Sequence, residues 1–334
     1  MKPAKLVAAV LAGFIAAPAL AADYPWTPDR PITIIVPWGA GGATDQVTRV
    51  TAGVLEEELG QRVVIVNQPG ASGSIGKKNA AEAERDGYTW AAGAPKQLGT
   101  YKLLDQFDTW VKDWRLYNTV TNVPLVAVNP DSPYETMDDF VAAMEAGDID
   151  IATAGAGSSG HAAAEALKAV LGGDYTHVTY DGGNPAIIAT VSGAAEATTQ
   201  LASEQAEMVR AGRLRPLAVL ASQPLEIEGF GTVPPVTDFL EEDLPILSTS
   251  FGIFIPEEGT PPEVLETFDM IWENVIPESE ALRTYALERG ALFTPAAGEA
   301  AQEAVWPEIM ADAWSFHAAG RTVMSPEELG IPQP

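Results

Sequence analysis

The residues of this chain best equipped for chemistry sit in two glycine-rich turns. The first reads Trp38-Gly39-Ala40-Gly41-Gly42-Ala43-Thr44-Asp45 and the second Gly155-Ala156-Gly157-Ser158-Ser159-Gly160-His161. An apolar, β-branched run precedes each turn, and an apolar stripe of helical spacing follows: Val47, Val50, Val54 and Leu55 after the first, Ala163, Leu167 and Val170 after the second. Strand, glycine turn and helix in that order leave unpaired backbone N–H groups and the positive end of a helix dipole at the strand's carboxyl edge, a setting that suits an anion. Thr44, Ser158 and Ser159 add hydroxyl donors at the same places. Two such ends facing each other predict an anion-binding protein of two lobes.

Around these turns the expected ligand set includes Trp38 as an apolar wall and Ser72 as a hydroxyl from the loop 67–74. It also takes Gly93 and Ala94, just past a strand over 88–92, and Tyr180 with the turn 181–185, Gly183 included, as the far wall. Each has a plainer reading as well. Glycines permit tight strand–helix packing, Ser158 and Ser159 are natural helix caps, and Asp45 and Asp181 suit dipole and turn roles. His161 lies in a first helical turn, where the dipole disfavours imidazolium and leaves a neutral donor.

Catalysis has little to stand on. Gly155, Gly157 and Gly160 fit a dinucleotide fingerprint literally, but they follow a late strand in a chain with an export leader, so no nucleotide cofactor is expected. The three histidines, His161, His177 and His317, lack metal-ligand spacing, and neither a Gly-x-Ser-x-Gly elbow nor a His-Glu-x-x-His helix occurs. No catalytic residue and no metal site is assigned. An exported hydrolase or lyase acting on a small acid is the rival reading, and a receptor feeding a sensor protein is a third.

Residues 1–22 have the layout of a secretory signal peptide: Lys2 and Lys5, an apolar run, then Ala19-Leu20-Ala21. No later stretch is long and apolar enough to span a membrane. The absence of cysteine excludes disulfides, thiolate metal sites and an N-terminal lipid anchor, so a free periplasmic monomer is expected. The formal net charge of −27 speaks against nucleic acid and anionic membrane as partners. An anionic ligand must then be held by local dipoles against an unfavourable overall field.

The order of elements after residue 30 reads βαβαβ at short spacing, which predicts a parallel sheet with its functional loops on one edge. The expected fold class is α/β: two lobes of mixed, mostly parallel sheet with helices on both faces. Residues 23–124 and 253–334 are expected to form one lobe and 125–252 the other. Strands at 125–128 and 251–255 are read as the crossings.

Several segments resemble the periplasmic solute receptors of tripartite tricarboxylate transporters, the Bug-type or TctC-like family. They include Val36-Pro37-Trp38-Gly39-Ala40-Gly41-Gly42-Ala43-Thr44-Asp45, Val66-Asn67-Gln68-Pro69-Gly70-Ala71-Ser72-Gly73, Gly155-Ala156-Gly157-Ser158-Ser159-Gly160-His161, Tyr180-Asp181-Gly182-Gly183-Asn184-Pro185 and Ala211-Gly212-Arg213-Leu214-Arg215-Pro216-Leu217. The resemblance implies a type II periplasmic-binding-protein fold closing around a small organic carboxylate, and delivery to a permease of one large and one small integral subunit. It adds Gln200 to the ligand set, standing where an aspartate is common in the family. The stretch after Phe316 matches poorly.

Overall fold

A computed structural model describes residues 24–240 and 244–333, so the leader expected over 1–22 lies outside the described residues. The first lobe opens with β1 (Ile32–Val36), α1 (Ala43–Leu59), β2 (Val63–Asn67), α2 (Ser74–Glu82), β3 (Thr89–Gly93) and β4 (Trp114–Asn122). The second holds β5 (Leu125–Val128), α3 (Met137–Ala146), β6 (Asp150–Thr153), α4 (Ser159–Leu171), β7 (Thr176–Thr179), α5 (Gly183–Ser192), β8 (Ala197–Thr198), α6 (Ala202–Arg210) and β9 (Arg215–Val219). A small ribbon of β10 (Leu225–Ile227) and β11 (Gly231–Val233) follows. The chain then returns through β12 (Thr249–Pro256), α7 (Pro262–Asn274), α8 (Glu280–Arg289), β13 (Leu292–Ala297) and α9 (Gly298–Ala318).

The first sheet has the order β13-β4-β12-β3-β1-β2 and the second β7-β6-β8-β5-β9. Pairings among β1, β2 and β3 and among β6, β7 and β8 are parallel, as the βαβ spacing predicts. The fold class is the expected two-lobed α/β. Antiparallel pairs of β12 with β3 and β4, and of β5 with β8 and β9, make both sheets more evenly mixed than expected.

Strand alternation gives each sheet two buried faces. Ile32, Ile34 and Val36 join the core beneath α1 and α7, while Ile35 points to the opposite core built with α9. In the second lobe Val126 and Val128 face one core, Leu125 and Ala127 the other. A sheet covered on both faces offers solvent only its strand ends, so its functional groups collect in the loops there.

The chain leaves the first sheet after Asn122, and on its return Thr249 pairs directly with Asn122, so the two crossings run side by side. The crossings expected at 125–128 and 251–255 are corrected by this topology. Each of those segments lies wholly within one sheet, and the expected boundary at 252–253 falls inside β12, because β12 must extend to Thr249 to pair with the end of β4. The C-terminal stretch folds back on the first lobe: Val323 N–H donates to Leu103 O at 2.8 Å and Ile331 is fully buried.

Candidate functional site

Helix α1 starts at the carboxyl edge of β1 with Gly42 as its N-cap and no side-chain cap, and Thr44 lies within its first turn. Asp45, in that turn, folds back: its carboxylate accepts Gly41 N–H at 2.9 Å, takes both Arg49 donors at 2.9 Å and accepts from Asn67 at 3.0 Å. These donors hold its pKa below the usual carboxylate range despite burial, which pulls the other way. Asp45 therefore fixes the turn. In the second lobe Ser158 is the N-cap of α4, its Oγ accepting His161 N–H at 3.2 Å.

The N-termini of α1, α4 and α5 line one narrow cleft between the lobes, with about 40 Å³ of free space. Its walls bring together Trp38, Gly42, Ala43, Thr44, Ala94, Ser158, Ser159, Gly160, Gly183 and Gln200 from the expected set. Gln97, Ala154, Leu201, Glu204 and Phe251 complete them, and none of the lining residues is Lys or Arg. The first N–H groups of a helix have no intrahelical acceptor, so three helix ends converge here as donors. Behind the wall, the fully buried Lys77 donates to Ala94 O at 3.1 Å, Gln97 Oε1 at 2.5 Å and Tyr101 OH at 3.2 Å. Burial drives its pKa far down, toward a neutral amine. The bond to Oε1 leaves the Gln97 amide NH₂ as the group offered to the cleft.

Other expected residues are placed around this cleft. Gly39, Ala40 and Gly41 form the turn before α1. Gly39 approaches Asp181 and Gly41 approaches Asn184 across the lobes. Ser72 and Tyr180 border a neighbouring mouth with Trp38, where the Ser72 hydroxyl donates to Ala156 O and joins the lobes. Ser72 and Ala71 both carry positive φ, 54° and 45°, a conformation L-residues hold only under tertiary constraint. Gly93 packs against Lys77, and Gly157 faces Ser72 and Leu104.

His161 stands apart from the expectation of a donor in the cleft. Its ring is buried and stacked on His177 at 4.2 Å, and its Nδ1 accepts from Arg321 at 3.0 Å. Burial, with His177 and Arg321 alongside, pushes its pKa down to about 3. It is a neutral acceptor joining α4 to the segment after α9.

Of the lining residues that sequence reasoning missed, Gln97 and Glu204 are polar, and the charged one is Glu204. Its Oε1 accepts Ala43 N–H at 2.9 Å and its Oε2 accepts from Gln200 Nε2 at 3.1 Å. A Cβ on Gly183 would stand 2.1 Å from Oε1, so only glycine there admits the carboxylate. Gly160 does the same for Gln200, whose Oε1 would lie 1.9 Å from an added Cβ. Burial pushes the Glu204 pKa up to about 7. Spacing gave no signal for it, since Gln200 precedes the N-cap Leu201 of α6 and its pairing with Glu204 is made by the turn into that helix rather than along it.

Among the described residues no group of three metal-ligating side chains occurs, and no helix is long and apolar enough to cross a membrane. Over residues 47–280 the chain matches the model described as TctC, tripartite tricarboxylate transporter family receptor. Protein BugT of Bordetella pertussis is 33% identical over 264 residues, covering 75% of this chain and 77% of the relative. The periplasmic binding protein BugD superposes with a TM-score of 0.79 at 21% identity, covering 88% of this chain and 99% of that one. Rpa4515 of R. palustris, solved with adipate, gives 0.74 at 25% identity, covering 88% and 98%; MatC from Rhodopseudomonas palustris, solved with malate, gives 0.71 at 22%, covering the same shares. The shared function is solute reception rather than catalysis, and the chain belongs to the tripartite tricarboxylate transporter receptor family, TctC.

Proposed function

We propose that the chain is a periplasmic receptor that encloses one small organic carboxylate between its lobes and presents it to a membrane permease of a large and a small subunit. The observation that carries this reading is the convergence of three helix N-termini on a cleft whose lining includes neither Lys nor Arg. Such a site holds a carboxylate by N–H and O–H donors alone, each bond to a charged group being worth about 1.5–3 kcal/mol. Thr44, Ser158, Ser159, Gly160 and Gln97 are the donors in reach of one bound group. The carboxylates named for two family structures, adipate and malate, support the ligand class, and the family supports the permease partner.

Titration calorimetry of the mature chain against a panel of mono-, di- and tricarboxylates tests the reading, with native mass spectrometry identifying whatever co-purifies. A small carboxylate binding one to one at micromolar affinity or better is the expected result. Binding confined to neutral sugars or cations would overturn it.

A further inference from the structure

The cleft that the site geometry assigns to an anion already contains one, supplied by the protein. Glu204 reaches from α6 of the second lobe across to the first, where Oε1 takes the N–H of Ala43, the first residue of α1. The same oxygen lies within a Cβ's reach of Gly183, the first residue of α5, and 3.2 Å from where a Cβ on Gly42 would stand. One carboxylate oxygen thus sits where two helix N-termini meet. Gln200 holds the other oxygen and is itself sunk against Gly160. This is the arrangement a ligand's carboxylate would make there, and Glu204 is the only charged side chain among the cleft's lining residues.

We propose that Glu204 is a specificity-determining residue: it takes, from within the protein, the place of one of the two carboxylates of a dicarboxylate ligand, so that the cleft accepts small monocarboxylates and rejects dicarboxylates. The ligand's one carboxylate goes to the remaining donors, the first turn of α4 with the Ser158 and Ser159 hydroxyls, and Thr44. A second carboxylate would have to share the Ala43 N–H with Glu204 at contact distance, and like charges in a partly dehydrated cleft repel strongly. The proposal rests on the carboxylate-receptor reading and narrows it.

Butyrate and succinate match in chain length and differ by one carboxylate, so the test is their affinities for the wild-type chain, Glu204→Gln and Glu204→Ala, by calorimetry at pH 8. Circular dichroism melts establish that each variant is folded, and Glu204→Gln, which keeps the size and an acceptor, serves where Glu204→Ala does not fold. The wild type is expected to favour butyrate over succinate by at least tenfold. Glu204→Gln is expected to shift that ratio at least tenfold toward succinate. A wild type that binds succinate as tightly as butyrate, or a ratio unmoved in both variants, overturns the proposal and leaves the receptor reading standing. Absence of binding by either acid to any of the three proteins, with binding of a non-acid solute instead, overturns both.

Discussion

At the scale of single residues, the chain buries acids where charge is costly, and stability should record it. Glu308 in α9 is 3% exposed; its carboxyl accepts Ser250 N–H at 3.0 Å and Ser250 Oγ at 2.9 Å. Beside it, Lys96 pairs with the equally buried Asp312 at 3.2 Å. One cation serves two acids, so with both ionised the cluster carries an uncompensated negative charge. Burial accordingly pushes Glu308 up to about 7, against the pull of Lys96 and Ser250. A folded pKa above the unfolded one means the folded state binds the proton more tightly. The stabilisation is complete below about pH 4 and is lost as pH rises through about 7, amounting to roughly 3 kcal/mol over that window. Glu204, also near 7, acts in the same direction. Thermal unfolding should therefore show Glu308→Gln melting above the wild type at pH 8, with the two converging by pH 5; parallel curves would refute the assignment. Neither acid stood out in the sequence. In a chain with 46 acidic residues, a carboxylate becomes informative only when the fold removes it from water. Thr44, Ser158 and Gly183 were legible because a glycine turn between strand and helix constrains position directly.

At the scale of elements, the proposed function has one hydroxyl of helix α4 serve both structure and ligand. Ser158 Oγ accepts the His161 N–H as a cap, which leaves its own proton free to donate into the cleft. Glycine at an N-cap costs only a few tenths of a kcal/mol relative to serine, whereas alanine costs about 1 kcal/mol. Ser158→Gly should therefore keep the melting temperature of the ligand-free protein within a degree or two yet lower carboxylate affinity about tenfold, and Ser158→Ala should lower both. Calorimetry paired with thermal melts separates the contributions; a Ser158→Gly variant with unchanged affinity would show that the hydroxyl is a cap alone. The elements around these turns were readable because strand and helix differ in apolar period, and β5 lies where the pattern puts it. Strand β4 was not readable. Its buried Asn118, Thr119 and Asn122 break the apolar run, and its polarity is balanced by tertiary partners such as the Phe251 carbonyl that accepts from Thr119. Strand β13 hides for a different reason, being an edge strand with Pro295 and a register shift.

At the scale of the whole molecule, the proposed function has a chain of net charge −27 capture an anion in a cleft lined by no basic side chain. Two electrostatic terms of different range then oppose each other. The distant surface acids repel the approaching ligand over many ångströms, while N–H and O–H donors hold it at contact, where no counterion can intervene. Salt acts almost entirely on the first: the screening length falls from ~30 Å at 0.01 M to about 10 Å at 0.1 M and about 3 Å at 1 M. A site built on lysine or arginine would lose affinity steeply over that range through the loss of long-range attraction. Here the association rate should rise several-fold between 0.01 and 0.5 M sodium chloride, the dissociation rate should hardly move, and affinity should stay constant or improve slightly. Stopped-flow mixing on the intrinsic fluorescence of Trp38, which lines the cleft, gives both rates. A tenfold loss of affinity across the same salt range would mean that a cation contributes to binding after all, and the buried Lys77 behind Gln97 would be the first residue to replace.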